Sequence, residues 1–201
     1  MNNTLRKLPD NFHIERYGVT CRLVRECDAE FIVKLRNDKN LSKHVHESGG
    51  LESQKEWIKT YMLREKEGID YYFIYSKDGE PFAVNRLYHI DWARHSYTSG
   101  SWICKPGTST DITFLSSVIL NEIAEALGLL ICLYDVRKDN KQVINYHRKI
   151  MKAIEYGDTN KDILFMSTPE TRKQCKLRKL LGLPTDYTLD NIPFIEEEFD
   201  Y

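Results

Sequence analysis

The amino-acid sequence predicts a single α+β domain with a mostly antiparallel central sheet and flanking helices. Apolar residues alternate in some segments and recur with the helical period in others, and these segments follow the order β α α β β β α β α β β α. One strand–helix–strand unit, at 97–105, 110–127 and 130–136, is long enough for a right-handed crossover, so its two strands should run parallel. The length of 201 residues suits one domain.

The first half of the chain predicts one strand, two helices and a hairpin. Asp28 is placed to cap a helix, and Ser53 and Glu56 have the spacing of a capping box at the start of another. Asp78-Gly79 separates two apolar segments and is a strong signal for a two-residue turn. The predicted elements are a strand at 20–26, helices at 28–37 and 53–66, and hairpin strands at 71–77 and 81–91.

The second half of the chain predicts the parallel pair, a closing hairpin and two further helices. Pro106-Gly107 ends a strand, and a helix with a clear apolar stripe ends at Gly128. Asn140 is placed to cap the next helix, and Pro169 suits the first position of the last one. The predicted elements are strands at 97–105 and 129–136, helices at 110–127, 140–151 and 168–182, and a hairpin at 153–156 and 162–167.

The pattern predicts three parts along the chain. Residues 1–19 are expected to form an N-terminal extension, 20–168 the domain itself, and 169–201 a C-terminal helix and tail on or beside that domain. The last helix is basic and the tail after it is acidic. Two interpretations stay open: a solvated helix with a mobile tail, or a tail that folds back or docks on a neighbouring subunit, as in a homodimer.

The composition excludes several classes of protein. The 29 Lys and Arg residues against 30 Asp and Glu leave no basic surplus for nucleic acid. No apolar run approaches the ~20 residues that a membrane span needs, so no membrane association is expected. The N-terminus has no apolar region typical of a secretory signal, which favours a cytoplasmic protein.

Cysteine and histidine usage predicts neither disulfides nor a metal site. The five cysteines are odd in number, irregularly spaced and without a CxxC motif, so we expect reduced, mostly buried thiols. His44 and His46 are two residues apart in a polar segment, but no third ligand accompanies them.

Four segments resemble the GNAT superfamily of N-acetyltransferases, most closely its amino-sugar and ribosomal-protein branch. The opening strand and helix read CRLVRECDAEFIVKLRND, and the hairpin reads DYYFIYSKDGEPFAVNRLYHID. The strand SGSWICKP is similar to the family's G-x-W strand, and DVRKDNKQVINYHRKI is similar to a motif with Asn140 at its asparagine. The resemblance covers about residues 20–168.

The resemblance implies transfer of an acetyl group from acetyl-CoA to a primary amine of a small acceptor, most closely an amino sugar or a nucleotide-linked amino sugar. The amine would attack the thioester directly, with the parallel strands splayed around the coenzyme and a backbone N–H near Ile103 and Cys104 polarising the carbonyl. Two alternatives remain: a binding or scaffolding protein of GNAT fold without catalysis, and a protein N-terminal acetyltransferase.

The resemblance also implies a coenzyme site with an altered phosphate loop. The family's loop is rich in glycine, whereas the stretch from Lys105 to Thr113 keeps only Gly107. A helix N-terminus with hydroxyl side chains still suits a pyrophosphate, although an ordinary capped helix start has the same appearance. The predicted coenzyme residues are Ile103, Cys104, Lys105, Gly107, Thr108, Ser109, Thr110 and Asn140.

His147 is the predicted catalytic residue, because it lies seven residues after Asn140, where the family usually has a tyrosine that protonates the leaving thiolate. Imidazole can donate a proton near neutral pH, but His147 also shares a helical stripe with Val143 and Ile150, as a packed core histidine would.

The predicted acceptor-binding residues are Asn37, His46, Arg86 and Tyr88. Arg86 and Tyr88 share one face of a hairpin strand, for which plain sheet surface is the default interpretation. The family's frequent carboxylate base before the G-x-W strand has no counterpart, since Thr98 and Ser99 stand there.

Overall fold

The computed structural model describes residues 4–38 and 49–198. The strands are β1 (Thr4–Lys7), β2 (His13–Arg16), β3 (Val19–Leu23), β4 (Asp70–Lys77), β5 (Glu80–Asp91), β6 (Ser96–Cys104), β7 (Ile131–Arg137), β8 (Ile154–Asp158), β9 (Asp162–Ser167) and β10 (Ile195–Glu198). The α-helices are α1 (Ala29–Arg36), α2 (Leu51–Lys66), α3 (Thr110–Ala126), α4 (Lys141–Tyr146), α5 (Pro169–Gln174) and α6 (Leu177–Leu180), with a 3₁₀ turn at Glu26–Asp28 and a π-helical turn at His147–Met151.

Eight strands form one sheet in the order β2-β3-β4-β5-β6-β7-β9-β8. Within the described residues, β6 and β7 are its one parallel pair, and α3 crosses between them. The predicted fold class, a mostly antiparallel sheet with one parallel pair, is therefore confirmed.

Apolar side chains cover both faces of this sheet. On one face, α3 contributes Ile119, Leu120 and Ile123 to a cluster that includes Phe73 and Leu87 from the central strands. On the other face, a second cluster joins α1 and α2 to alternate residues of the same strands, and its members include Ile32, Ile58, Tyr61, Tyr72, Ile74 and Val84. The sheet is thus the middle layer of three, which explains why β4 is apolar on both sides.

The N-terminal segment contributes a strand that the sequence pattern did not predict. β2 pairs with β3 through a two-residue turn at Tyr17 and Gly18, whose φ angles are both positive (56° and 66°). Such turns match the twist of the flanking strands. Phe12 and Ile14 are buried against the α3 side of the sheet, so residues of the predicted extension belong to the core.

The C-terminal tail folds back on the beginning of the chain. β10 pairs antiparallel with β1 as a separate two-stranded sheet. Arg6 Nε lies 3.1 Å from Glu196 Oε1, and Lys7 Nζ lies 2.6 Å from Glu197 Oε2. Of the two interpretations of the acidic tail, the folded-back one is correct for these residues.

Two predicted helices end or break earlier than their patterns indicate. The helix after Asn140 is α-helical only to Tyr146 and then forms the π-helical turn. The predicted helix at 168–182 is wrong as one element, because it divides into α5 and α6. Cys175 between them has an extended backbone (φ −61°, ψ 131°), and Lys176 N donates to Ile150 O at 3.0 Å. A tertiary hydrogen bond replaces a helical one at this point.

No helix among residues 4–38 and 49–198 combines the length and apolar character that crossing a bilayer requires.

Candidate active site

The parallel strands β6 and β7 separate part of the way along their length. They pair only at Ser96–Thr98 with Ile131–Leu133. Beyond these residues β6 stays paired with β5, and β7 stays paired with β9. A cleft therefore opens in the sheet between the second half of β6 and the second half of β7.

This cleft is a cavity of about 750 Å³ that is lined by residues from both faces of the sheet. Lining residues on the side of α3 and α4 include Trp102, Ser117, Asn140, Tyr146 and His147. Lining residues on the side of α1 and α2 include Arg36, Tyr88 and Asp135. Two molecules entering from opposite faces can meet where the strands diverge.

A β-bulge in β6 shapes the point of divergence. Between Val84 and Arg86 on β5, the partners on β6 run from Ile103 to Gly100, so β6 holds one extra residue. Ser101, inside the bulge, has φ 55°. A bulge leaves a residue outside the ladder and bends its strand, as is common beside active sites.

Gly100 admits a side chain from the neighbouring strand. A Cβ placed on Gly100 would lie 2.9 Å from the hydroxyl oxygen of Tyr88 and 3.0 Å from its ring carbon Cε1. The absence of a side chain therefore lets the Tyr88 phenol lie across β6 at the point where the strands diverge.

An aromatic wall closes the side of the cleft next to α3. Phe114 and Tyr146 stack with ring centroids 5.0 Å apart, and Trp102 packs against both. Trp102 Nε1 donates to Ser116 Oγ at 3.0 Å, and the Tyr146 hydroxyl lies 3.3 Å from Ser117 Oγ. These bonds fix the rings, since buried indole and phenol groups need polar partners.

His147 lies in this apolar flank, at the start of the π-helical turn. Its ring centroid is 4.4 Å from that of Tyr134 and 5.5 Å from that of Phe165. Its Nδ1 atom is buried without a hydrogen-bond partner among the described residues. Burial lowers the pKa of His147 to about 3, so the ring is neutral at pH 7. His147 lines the cavity, as a catalytic acid would, and it also packs against aromatic rings, as a core histidine would. The geometry is therefore compatible with both interpretations of this residue.

The other titratable groups on this flank are also neutral. Burial raises the pKa of the Tyr146 and Tyr134 phenols above their usual value. Burial raises the pKa of the Cys132 thiol, which lines the cavity, and of the Cys104 thiol to about 11 each. Neither thiol is ionised at neutral pH, so neither is a ready nucleophile.

The predicted coenzyme residues fall into two groups. Asn140 lines the cavity and caps α4, with its side-chain oxygen accepting from Val143 N at 3.3 Å. The stretch from Ile103 to Thr110 lies beyond the cavity lining, where β6 leads into α3. There Ser109 caps α3 through Ile112 N, and Gly107 turns the chain with φ 84°. Lys105, Gly107, Ser109 and Thr110 are exposed, Thr108 and Cys104 are half-buried, and Ile103 is buried on the α1 side.

The predicted acceptor residues are only partly brought together. Tyr88 lines the cavity, whereas Arg86 pairs with the buried Asp70, with 2.7 Å between Nε and Oδ1. The Arg86 guanidinium lies 4.7 Å from the Tyr88 ring centroid, so it stabilises the position of this ring through a cation–π contact. Asn37 is the C-cap of α1, beside the cavity-lining Arg36, and His46 lies outside the described residues.

Sequence reasoning missed the five charged residues that line the cavity within the described part of the chain, which are Arg36, Asp135, Arg137, Lys161 and Asp162. Asp135 interrupts the otherwise apolar segment LLICLYDV, which was expected to form a strand buried on both faces. A charged residue in such a strand is unusual, and this could have identified Asp135 as a site residue.

Comparison with known proteins identifies the family. No protein-family model matches the chain, and no curated protein sequence matches it. Among solved structures, a protein described as FdhC, a nucleotide-linked sugar GNAT, is 31% identical with a TM-score of 0.75, over 87% of this chain and 99% of that one.

Two further solved structures share the fold at lower identity. A ribosomal-protein-S5-alanine acetyltransferase from Vibrio fischeri is 14% identical, with a TM-score of 0.66 over 79% of this chain and 97% of that one. A spermidine N-acetyltransferase from Vibrio cholerae, solved with CoA and spermine, is 15% identical, with a TM-score of 0.63 over 78% of this chain and 99% of that one.

The three-layer fold and the cleft between two parallel strands define the class of acyltransferases that the sequence resembles. The chain belongs to the GNAT superfamily of N-acetyltransferases.

Proposed function

We propose that this protein transfers the acetyl group of acetyl-CoA to a primary amine of a small acceptor, and that the acceptor is a nucleotide-linked amino sugar. The observation that supports acetyl transfer best is the cleft between β6 and β7, which is lined by residues from both faces of the sheet. Family membership supports the reaction, and the nucleotide-linked sugar GNAT among the similar structures supports this acceptor over others.

The residues around the cleft fit acetyl-CoA as the second substrate. The pyrophosphate is proposed to bind at Gly107–Thr110, where the 17-residue helix α3 begins and offers unpaired N–H groups and the positive end of its dipole. Lys105 is exposed beside this loop and adds a positive charge. Asn140 is proposed to contact the coenzyme arm, and the edge of β6 near Ile103 and Cys104 to supply backbone N–H groups to the thioester carbonyl.

The amine is proposed to lose its proton to water and then, as the neutral amine, to attack the thioester directly, without a covalent enzyme intermediate. The C–N bond of the amide forms as the C–S bond breaks, and coenzyme A leaves as the thiolate. The neutral thiols Cys104 and Cys132 support direct attack, because a thiol without its charge is a poor nucleophile. Positioning the two substrates from opposite faces of the sheet would supply most of the rate, since oriented reactants gain ~7–11 kcal/mol.

The proton that the leaving thiolate takes up is proposed to come from the adjacent pair Tyr146 and His147. His147 occupies the sequence position of the family's acid, but its ring has lost its labile proton at pH 7 because its pKa is about 3. The Tyr146 phenol keeps its proton and lines the same cavity. We therefore propose that Tyr146 donates the proton and that His147 packs against the Tyr146 ring and orients it. The variants Tyr146→Phe and His147→Phe distinguish this assignment from one in which His147 is the acid.

Calorimetry and turnover test the proposed function together. Acetyl-CoA should bind and should raise the free energy of unfolding by about 2.7 kcal/mol when present at 100 times its dissociation constant. A panel of nucleotide-linked amino sugars, free amino sugars, spermidine and an N-terminal peptide should then show turnover with the first class. Absence of acetyl-CoA binding at millimolar concentration would contradict the proposal and favour the scaffold alternative. Turnover with the peptide alone would favour the protein N-terminal acetyltransferase.

A further inference from the structure

Asp135 lies on the face of the cleft opposite to the aromatic wall. Its neighbour on β7, Tyr134, packs with His147 and Phe165, and Cys132 belongs to the cluster on the α3 side. Successive side chains of a strand alternate between faces, so Asp135 points toward the α1 and α2 side. It is exposed and lines the cavity two residues beyond the last paired residue of β7, Leu133.

Tyr88 reaches the same place from the other edge of the cleft. Tyr88 lies two residues after Arg86 on β5, so the two side chains are on the same face of the sheet. The Arg86 guanidinium lies 5.1 Å from the ring centroid of Trp57 in α2, so this face is the α2 face. Tyr88 pairs with Thr98 of β6, which in turn pairs with Leu133 of β7. Its hydroxyl lies over Gly100, and its pKa is raised by burial and further by the negative charge of Asp135. The phenol and the carboxylate are therefore electrostatic neighbours across the gap.

The carboxylate of Asp135 is available to a ligand. Within residues 4–38 and 49–198, it has no ion-pair or hydrogen-bond partner. The other carboxylates near the cleft are engaged: Asp70 pairs with Arg64 and Arg86, and Asp162 accepts from Thr159 Oγ1 at 3.3 Å and faces Arg137. The cavity lining also contains the cations Arg36, Arg137 and Lys161. Of the two carboxylates in this lining, Asp162 lies 3.9 Å from Arg137, whereas Asp135 forms no ion pair within the described residues. An unpaired, exposed carboxylate in a substrate-sized cleft is a partner for a cationic ligand group.

We propose that Asp135 and Tyr88 form the binding site for the acceptor's ammonium group, on the face of the sheet opposite to α3. This inference rests on the proposed function and adds to it the face from which the acceptor enters and the residues that recognise its amine. The carboxylate would accept charge-assisted hydrogen bonds from the ammonium in the initial complex, and the ammonium would then release one proton to water before its nitrogen attacks. The phenol, which keeps its proton, would donate to an adjacent hydroxyl. The site therefore fits a primary amine that has a neighbouring hydroxyl group, and it distinguishes that amine from the corresponding alcohol.

Binding of two matched sugars without coenzyme tests this site. UDP-glucosamine and UDP-glucose differ only by an ammonium in place of a hydroxyl, and calorimetry at pH 7 measures the dissociation constant of each. The wild-type protein should bind UDP-glucosamine about tenfold to a hundredfold more tightly, as expected for a charged hydrogen bond. Asp135→Asn should bind the two sugars with dissociation constants within about threefold of each other, because the amide keeps the size and loses the charge.

A matched control separates this effect from a general change of charge. Asp158→Asn removes an exposed carboxylate on β8 that pairs with Lys138 and lies outside the cavity lining, and it should keep the preference for the amine. Both variants should melt within about 2 °C of the wild type, since exposed substitutions rarely change stability by more than ~0.5 kcal/mol.

The outcomes distinguish this site from the proposed function. Equal affinity of the wild-type protein for the two sugars, binding of neither, or an unchanged preference in Asp135→Asn would overturn the ammonium site. Failure of acetyl-CoA to bind would contradict the proposed function instead, because the sugar titrations contain no coenzyme.

Discussion

The two faces of the cleft differ in the side chains that line them: one is aromatic, and the other carries charged side chains in contact with solvent. On the α3 and α4 face, Trp102, Tyr146 and His147 lie among aromatic rings, and their polar atoms are bonded internally or buried. On the α1 and α2 face, Arg36 and Asp135 are charged and in contact with solvent. Tyr134 and Asp135 are adjacent in sequence, yet they line opposite faces.

The difference follows from burial and has a functional consequence. Burial penalises charge, so the first face keeps His147 and its phenols neutral and suits the apolar arm and thioester of a coenzyme. The second face places the polar side chains of Arg36 and Asp135 in contact with solvent, and it suits a polar acceptor. One opening in the sheet thereby presents two environments a few residues apart.

The largest expected effect is on turnover and concerns the neutral face. Tyr146→Phe should lower kcat by ~10²–10⁴-fold, the range usual for a general acid, because it removes the phenol proton and keeps the ring stack with Phe114. His147→Phe should lower kcat by less than about tenfold, since a neutral imidazole is a poor donor.

Steady-state kinetics with the best acceptor of the panel, together with melting curves, measures both variants. If His147→Phe has the larger loss at unchanged stability, the proton comes from His147, and its position seven residues after Asn140 identified the donor. If both variants turn over normally, the proton comes from water.

The second prediction concerns the charged face. Asp70 is 2% exposed and holds both Arg64 and Arg86, and Arg86 supports Tyr88. Asp70→Asn leaves two guanidinium groups without a countercharge. Removing one partner of a buried ion pair costs about 3–5 kcal/mol, and the partial exposure of Arg64 puts the expected loss near the lower end, about 3 kcal/mol.

Urea unfolding measures the loss caused by Asp70→Asn, with Asp158→Asn as the control. The exposed Lys138–Asp158 pair should contribute less than about 1 kcal/mol. Equal losses in the two variants would mean that the Asp70 network stabilises the fold no more than a surface pair does.

The main elements of the fold could be predicted because their patterns are long and local. The helix predicted at 110–127 is observed at Thr110–Ala126, and the hairpin strand predicted at 81–91 is observed at Glu80–Asp91. The strands β2 and β10 were not predicted, because each has only four residues and its periodic signal is weak. The break at Cys175 is accompanied by a hydrogen bond from Lys176 N to Ile150 O, 26 residues earlier, and a local pattern does not contain such a contact.

The site could be predicted in part, for a similar reason. The family motif led to Asn140 and His147, and alternation along the hairpin led to Tyr88, and all three line the cavity. Arg36 and Asp135 were missed because their place depends on where β6 and β7 separate and on the bulge at Ser101. Strand register and bulges depend on contacts between strands that are distant in sequence, so a local pattern does not reveal them.

The third prediction uses pH to test the burial of His147. Its pKa is about 3 in the folded protein, against 6.5 as its ordinary value, so the unfolded chain binds one more proton between these two pH values. The free energy of unfolding should therefore fall as the pH drops below 6.5, by about 2 kcal/mol at pH 5 from this group alone.

Comparison with His147→Phe isolates this contribution, since the variant lacks the titrating ring. The difference in unfolding free energy between the two proteins, measured from pH 7.5 to pH 5, should change in favour of the variant as the pH falls. A constant difference over this range would show that His147 has the same pKa in the folded and unfolded states. It would also show that water reaches His147 on the α3 and α4 face of the cleft.

The smallest expected effect concerns Asn140, which lies where the neutral face meets the start of α4. Its side-chain oxygen caps the helix through Val143 N, so Asn140→Ala should cost about 1 kcal/mol of stability. Asn140→Asp keeps an oxygen for the cap and loses the amide donors, so it should retain wild-type stability to within about 0.5 kcal/mol. If the amide donates to the coenzyme arm, both variants should bind acetyl-CoA more weakly, by about tenfold for one lost hydrogen bond. If Asn140 is only a cap, the aspartate variant should match the wild type in both measurements, and the coenzyme arm must take its hydrogen bonds from β6 alone.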